Sequence, residues 1–175
     1  KRSSLIEFLK RDLAGLIKTG YDISKIENQD KKIKLYFEND EIKECDYLVI
    51  SDGVFSKGKS IVSSNKNEAT YNNCIAIRGN ISKNNIDNIN EKNISLFVGS
   101  NFHYVIYPID QITNTLNFIG ILKYNLNLDE LNNYSLFNDQ DFMTNIKNHL
   151  NKKISSNMLS NINNIKCFPI FVSKD

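Results

Sequence analysis

Residues 45–60 read Cys45-Asp46-Tyr47-Leu48-Val49-Ile50-Ser51-Asp52-Gly53-Val54-Phe55-Ser56-Lys57-Gly58-Lys59-Ser60. The run from Asp46 to Ser51 is apolar through its middle and lacks the alternation of a one-sided strand. It therefore predicts a buried strand. The run stops at Asp52-Gly53, a pair that favours a turn, and a short helix is expected after Ser56. A carboxylate at the carboxyl end of a strand can accept hydrogen bonds from the hydroxyls of a sugar-like ligand. Gly53 lets backbone approach that ligand closely, and the cation of Lys59 can face a diphosphate. Read locally, Asp52-Gly53 is more often a plain turn after a buried strand.

The same stretch contains a literal G-x-x-x-x-G-K-[ST] pattern in Gly53 to Ser60, the signature of a phosphate-binding loop. In such a loop the backbone N–H groups cradle phosphates, and a substantial helix begins at the lysine. Here Ile61 to Asn67 supports barely two helical turns before it becomes polar. Asp110, the nearest candidate for a Mg²⁺ carboxylate, follows Pro108 in Tyr107-Pro108-Ile109-Asp110. The pattern matches, but the context it requires does not. A nucleotide hydrolase using Gly53 to Ser60 stays as a minor alternative.

Outward from this stretch, residues 3–19 carry Leu5, Ile6, Leu9, Leu13, Leu16 and Ile17 at helical spacing, with Gly20 as a stop signal. Residues 21–27, 31–37 and 41–43 predict short strands, with Glu38-Asn39-Asp40 as a hairpin turn. From Asn65 to Asn73 the chain is polar and aperiodic, a candidate domain crossing. Strands are expected at Cys74–Ile81, Ile94–Val98, Phe102–Ile109 and Thr115–Lys123, joined as an antiparallel sheet. Helices are expected over 139–150 and 154–162, from Phe142, Ile146 and Leu150, then Ile154, Met158 and Ile162. Lys166–Val172 is an extended segment interrupted by Pro169.

The strand running into Asp-Gly, then Ser and a basic residue, resembles the Asp-Gly motif of the FAD-dependent aromatic-ring monooxygenases. These are the p-hydroxybenzoate hydroxylase-like flavoproteins, including the ubiquinone-biosynthesis hydroxylases. Asp46 opens the strand; Ser51-Asp52-Gly53 takes the place of Ala-Asp-Gly, and Ser56 with Lys59 that of Ser-x-x-Arg. Arg2-x-x-Leu5-x-x-x-Leu9 is similar to a helix of the family whose arginine contacts the flavin. Ile33-x-Leu35-x-Phe37 with Cys45-Asp46 is similar to the hairpin leading to the motif. Tyr71 to Gly79, Tyr107-Pro108 and Phe168-Pro169-Ile170 also have counterparts. The likeness spans nearly the whole chain through motifs that are individually of moderate specificity. Lysine at 59 loses arginine's bidentate fork.

The resemblance implies an α/β fold, α+β within this chain. Part of a FAD-binding Rossmann-like domain (1–66) would precede a substrate domain (67–165), an antiparallel sheet with helices on one side. Residues 166–175 would return to the FAD domain. Neither a G-x-G-x-x-G nor a downstream Gly-Asp segment is found, so the chain is expected to be the middle of a larger enzyme, inactive and weak for FAD by itself. The implied cofactor residues are Arg2, Asp52, Gly53, Ser56 and Lys59; Tyr107 and Arg78 would wall the substrate pocket. In the parent, FAD reduced by NADPH or NADH would react with O₂ and hydroxylate a small aromatic ring, such as a ubiquinone precursor. Few acid–base residues are then needed, because the cofactor carries the chemistry. His103 and His149 are expected to be ordinary strand and helix-face residues. A non-catalytic α+β ligand-binding or interaction module is the main alternative.

Composition sets the outer bounds. The 175 residues are 41% hydrophobic and 24% charged, which excludes a collagen-like or fully disordered chain. A net charge of +2 argues against nucleic acid as the main partner. No apolar run approaches the roughly 20 residues of a spanning helix, which leaves only peripheral membrane contact open to the parent. Three widely spaced cysteines, Cys45, Cys74 and Cys167, indicate neither a disulfide framework nor a metal site, so a reduced, cytoplasmic setting is expected. Oligomeric state is not legible.

Overall fold

The computed structural model describes residues 2–63, 69–82, 89, 92–110 and 115–173. The chain divides into two compact units: Lys1–Thr70 with Val172–Asp175, and Tyr71–Phe171.

In the first unit α1 (Arg2–Lys10) precedes an antiparallel meander of β1 (Ile23–Gln29), β2 (Lys32–Phe37) and β3 (Ile42–Cys45). The hairpin at Glu38–Asp40 forms as expected, with Asp40 at φ 65° and the N–H of Phe37 donating to the carbonyl of Glu41 at 3.0 Å. Leu35 and Phe37 are buried. Tyr21 packs edge-on against Phe37 at 5.1 Å between centroids.

Two expectations fail here. The helix expected over 3–19 ends at Lys10; residues 11–16 form turns closed by bonds such as Leu13 N–H to the Lys10 carbonyl (2.9 Å) and Leu16 N–H to the Leu13 carbonyl (2.8 Å). The apolar stripe is not buried: Leu5, Leu9 and Leu16 are exposed. Short helices depend on packing for stability, and Gly15 lowers the propensity further. The buried strand expected at Asp46–Ser51 is also absent: this segment has no regular structure, and Tyr47 and Val49 are 89% and 86% exposed. An interior strand needs hydrogen-bonding neighbours on both edges. The sheet described in this unit contains β1, β2 and β3 alone. Beyond it, α2 (Lys57–Val62) forms where the sequence places a short helix.

The second unit holds a five-stranded sheet in the order β5-β6-β7-β4-β8. Its strands are β4 (Ala69–Ser82), β5 (Ser95–Gly99), β6 (Phe102–Asp110), β7 (Thr115–Lys123) and β8 (Ile162–Ser173). The β5–β6, β6–β7 and β7–β4 pairs are antiparallel. β4 starts at Ala69 rather than at Cys74; Asn73, at φ 51°, breaks the alternation that would have marked the earlier part as strand. Between β7 and β8 lie α3 (Leu128–Asn132), a 3-10 turn (Leu136–Asn138), α4 (Gln140–Asn151) and α5 (Ser156–Ser160).

Alternation along the strands separates two faces. Ile75, Ile77 and Ile81 of β4, Leu116, Phe118 and Leu122 of β7, and Phe102 and Ile106 of β6 are buried in one cluster with Phe142, Ile146 and Leu150 of α4. Those three helical residues recur at i, i+4 and i+8, so one face of α4 covers the sheet. Burying each contributes about 1.5–3 kcal/mol. Asp139 caps α4 by accepting from the N–H groups of Asp141 and Phe142, both at 2.9 Å.

At the end of the chain, the helix expected over 154–162 contracts to α5. Ile162, read as part of its apolar stripe, instead begins β8 and is buried in the sheet's core. β8 is the outermost strand, the place in a sheet where a proline such as Pro169 is tolerated.

Candidate functional site

The segment that does not form a strand leads directly into the turn that holds the candidate residues. Gly53 has φ 92°, a left-handed conformation that side chains other than glycine rarely adopt. A Cβ added there would meet nothing within 4 Å, so backbone is open to close approach. Three residues later Ser56 caps α2: its Oγ accepts from the N–H of Lys59 at 2.8 Å. The Oδ2 of Asp52 accepts from the N–H of Gly58 at 3.0 Å. Gly58 is buried beneath this turn, and a Cβ there would come within 2.8 Å of Ile50 Cγ2.

Hydrogen bonds from Ser56 and from the Gly58 backbone hold the Asp52 carboxyl below its ordinary range. It is ionised at neutral pH and has acceptor capacity beyond the Gly58 bond, since a carboxylate offers about four lone-pair sites. Lys59 donates from Nζ to Ser173 Oγ at 2.9 Å. A cavity of about 370 Å³ is lined by Asp52, Gly53, Ser56 and Lys59, with Ile50 and Ser173 among its other walls. A second, of about 530 Å³, shares Ile50, Asp52 and Gly58 with it.

Four of the five cofactor residues read from the sequence therefore meet around one cavity. Arg2 does not: it is an exposed residue at the start of α1 and lines neither cavity. Ser56 has a structural role as the helix cap, which a serine just before a helix signals. Sequence reasoning missed Gly58 as the donor to Asp52 and Ser173 as the partner of Lys59. No local pattern links residues 114 positions apart.

The geometry does not fit a phosphate loop. The N–H of Gly58 is taken by a carboxylate and that of Lys59 by Ser56, the amides such a loop would turn toward phosphate. α2 has only six residues. Among the described residues no group of three or more metal-ligating side chains occurs, and no helix is long and apolar enough to cross a membrane.

Arg78 and Tyr107 belong to the second unit. In the antiparallel register Tyr107 faces Asn117, which faces Asn80; in the next row of the same face Val105 faces Ile119, which faces Arg78. All six side chains lie on the face opposite the helix-covered core, and none is fully buried. Strand spacing puts the Cα atoms of Arg78 and Tyr107 roughly 12 Å apart. The guanidinium of Arg78 stands over the ring of Phe168 at 5.7 Å from its centroid.

No protein-family model matches the sequence, and no curated protein matches it. Solved structures do. The chain superposes on Klebsiella pneumoniae HpxO (R204Q) complexed with FAD at a TM-score of 0.68 and 14% identity, covering 97% of this chain and 42% of that one. The chain has its fold. Salicylate hydroxylase in a substrate complex gives 0.68 and 11% identity, with 97% and 45% covered. The 2,6-dihydroxypyridine-3-hydroxylase of Arthrobacter nicotinovorans gives 0.67 and 13%, with 94% and 49% covered. The K. pneumoniae protein is also known with both FAD and uric acid. This chain spans less than half the length of each of these proteins.

Proposed function

We propose that this chain is part of a flavoprotein monooxygenase that hydroxylates an aromatic ring with FAD, NAD(P)H and O₂. The observation that carries the reading is the cavity that gathers Asp52, Gly53, Ser56 and Lys59 in a chain with the fold of FAD-binding hydroxylases. The fit to a flavin is chemical. Asp52 is an ionised acceptor suited to ribityl hydroxyls. Gly53 leaves open space where the backbone and a cofactor can touch. Lys59 brings positive charge to the same cavity, as a diphosphate would require. FAD, once bound and reduced by NAD(P)H, supplies the reaction with O₂, while the protein supplies position and charge. Arg2 is proposed as a further flavin contact on the resemblance of its helix.

The open face of the five-stranded sheet is proposed to wall the substrate pocket, with Tyr107 and Arg78 directed to an aromatic ring. A ubiquinone precursor is one such ring. Peripheral membrane contact would then give access to a lipid-soluble substrate.

The test is expression of the longest reading frame that contains this sequence. Co-purified flavin absorbance, and NAD(P)H oxidation stimulated by aromatic compounds, are expected. Loss of flavin in Asp52→Ala with retained fold supports the assignment of the cavity. A protein that carries no flavin and takes none up sinks the reading and leaves a non-catalytic ligand-binding module. ATP binding abolished by Lys59→Ala would favour a nucleotide hydrolase instead.

A further inference from the structure

The face of the five-stranded sheet that α4 covers carries a column of three rings. Phe118 of β7 is fully buried, and Tyr104 of β6 stacks on it with centroids 5.6 Å apart. Phe97 of β5 stacks on Tyr104 in turn, at 4.5 Å and 10°. β5 is the last strand on that side, so no further strand continues the column, and Phe97 is 37% exposed. It lines a cavity of about 290 Å³ together with Ser100, Phe102, Tyr104, Lys152 and Lys153. The two lysines directly follow α4. Lys153 donates from Nζ to the Ser100 carbonyl at 3.1 Å. The Lys152 ammonium and the Tyr104 hydroxyl have no hydrogen-bonding partner among the described residues, and no carboxylate lines the cavity. Attraction to the helix dipole accounts for lysines at the end of α4. It does not account for a half-exposed ring at the end of an aromatic column beside them.

We propose that this cavity binds a small phosphorylated aromatic compound, its ring laid on Phe97 as the fourth member of the column and its phosphate held by Lys152 and Lys153. An aromatic ring is the partner that an exposed, stacked ring face takes best. Two ammoniums act as separate point charges, and a doubly charged phosphate can accept from both. Lys153 keeps its bond to Ser100 while doing so, because an ammonium has three donors. The volume lies at the lower end of small-molecule sites, which suits one ring system with its phosphate. The cavity is on the opposite face of the sheet from Arg78 and Tyr107. A ligand there leaves that face free, and the proposal does not depend on the flavoprotein reading.

The experiment measures Kd of the full chain for phenyl phosphate, inorganic phosphate and phenol, by calorimetry or ligand-observed NMR. Phenyl phosphate is expected to bind about tenfold or more tightly than either half alone, with an affinity that falls as salt is raised. Lys152→Gln should weaken phenyl phosphate roughly tenfold, the scale of one charge-assisted hydrogen bond, and leave phenol unchanged. Phe97→Leu should weaken phenyl phosphate severalfold and leave inorganic phosphate unchanged. Lys147→Gln removes the same charge from an exposed position of α4 outside the cavity and should alter no Kd. All three substituted residues are exposed, and matching thermal melts confirm that each variant folds. AMP tested beside phenyl phosphate separates the two sources of such a ligand: the tighter binder shows whether it is a nucleotide or a simpler aryl phosphate. The proposal is overturned by phenyl phosphate that fails to bind or binds no better than inorganic phosphate. Binding that survives Lys152→Gln, or that falls equally in Lys147→Gln, overturns it as well.

Discussion

The carboxylate of Asp52 and the backbone N–H of Gly58 are joined by a 3.0 Å hydrogen bond. The side chain proposed to meet a flavin is thus also the strut that fixes the turn into α2. The proposed function and the local stability therefore fall on one residue, so the two must be separated by measurement.

The coupling has a definite pH signature. Because the Asp52 carboxyl is held below its ordinary value of 3.8, the folded state binds its proton less readily than the unfolded chain does. Its stabilising contribution is complete above the ordinary carboxylate range and is lost as pH falls through the lowered folded-state value. Denaturation of wild type and Asp52→Asn across pH should show the wild type more stable at neutral pH and the two curves converging at acid pH. Curves that stay parallel would refute the assignment.

Glycine at 58 is required by space. Gly58→Ala puts a methyl group 2.8 Å from Ile50 Cγ2 and should cost about 1–3 kcal/mol, in the range of overpacking. Gly15→Ala, with nothing within 4 Å of the new methyl, should be neutral or stabilise slightly by shrinking the freedom of the unfolded chain. Thermal melts of the two variants distinguish the cases.

Apolar residues of equal hydrophobicity should differ sharply with burial. Ile146→Ala opens a cavity at a fully buried position under the sheet and is expected to cost about 2–5 kcal/mol. Leu16→Ala, at a position 79% exposed, should change stability by less than about 0.5 kcal/mol. Urea titration of each variant checks the contrast.

The thiols should separate in reactivity. Burial pushes the Cys167 thiol up to about 12, while Cys45 and Cys74 are only half-buried. The thiolate is the reactive form. An aromatic disulfide reagent at mildly alkaline pH should therefore modify Cys45 and Cys74 in the native protein, and Cys167 only after unfolding. Rapid native modification of Cys167 would contradict its burial.

The β-rich half of the fold was legible because its strands alternate. In β7 every second residue, namely Leu116, Phe118, Gly120 and Leu122, is buried, and that period survives any error at the strand ends. α4 was legible for the same reason, through Phe142, Ile146 and Leu150. Two of the failures share one physical origin. The Asp46–Ser51 run and the helix beyond Lys10 have apolar patterns that need a neighbour, and pattern alone does not say whether one is present. Ile162 failed differently: a single apolar residue between α5 and β8 fits either period.

By itself, the sequence determined which segments can bury a face and where α2 starts. These are short-range matters of periodicity, capping and turn chemistry. Tertiary structure decided what depends on pairing between distant segments: that Lys59 meets Ser173, that Arg78 stacks on Phe168, and that Arg78 and Tyr107 share the open face of the sheet. Strand register sets the last of these. A one-residue slip would turn either side chain into the core, and register is fixed by packing across the whole sheet.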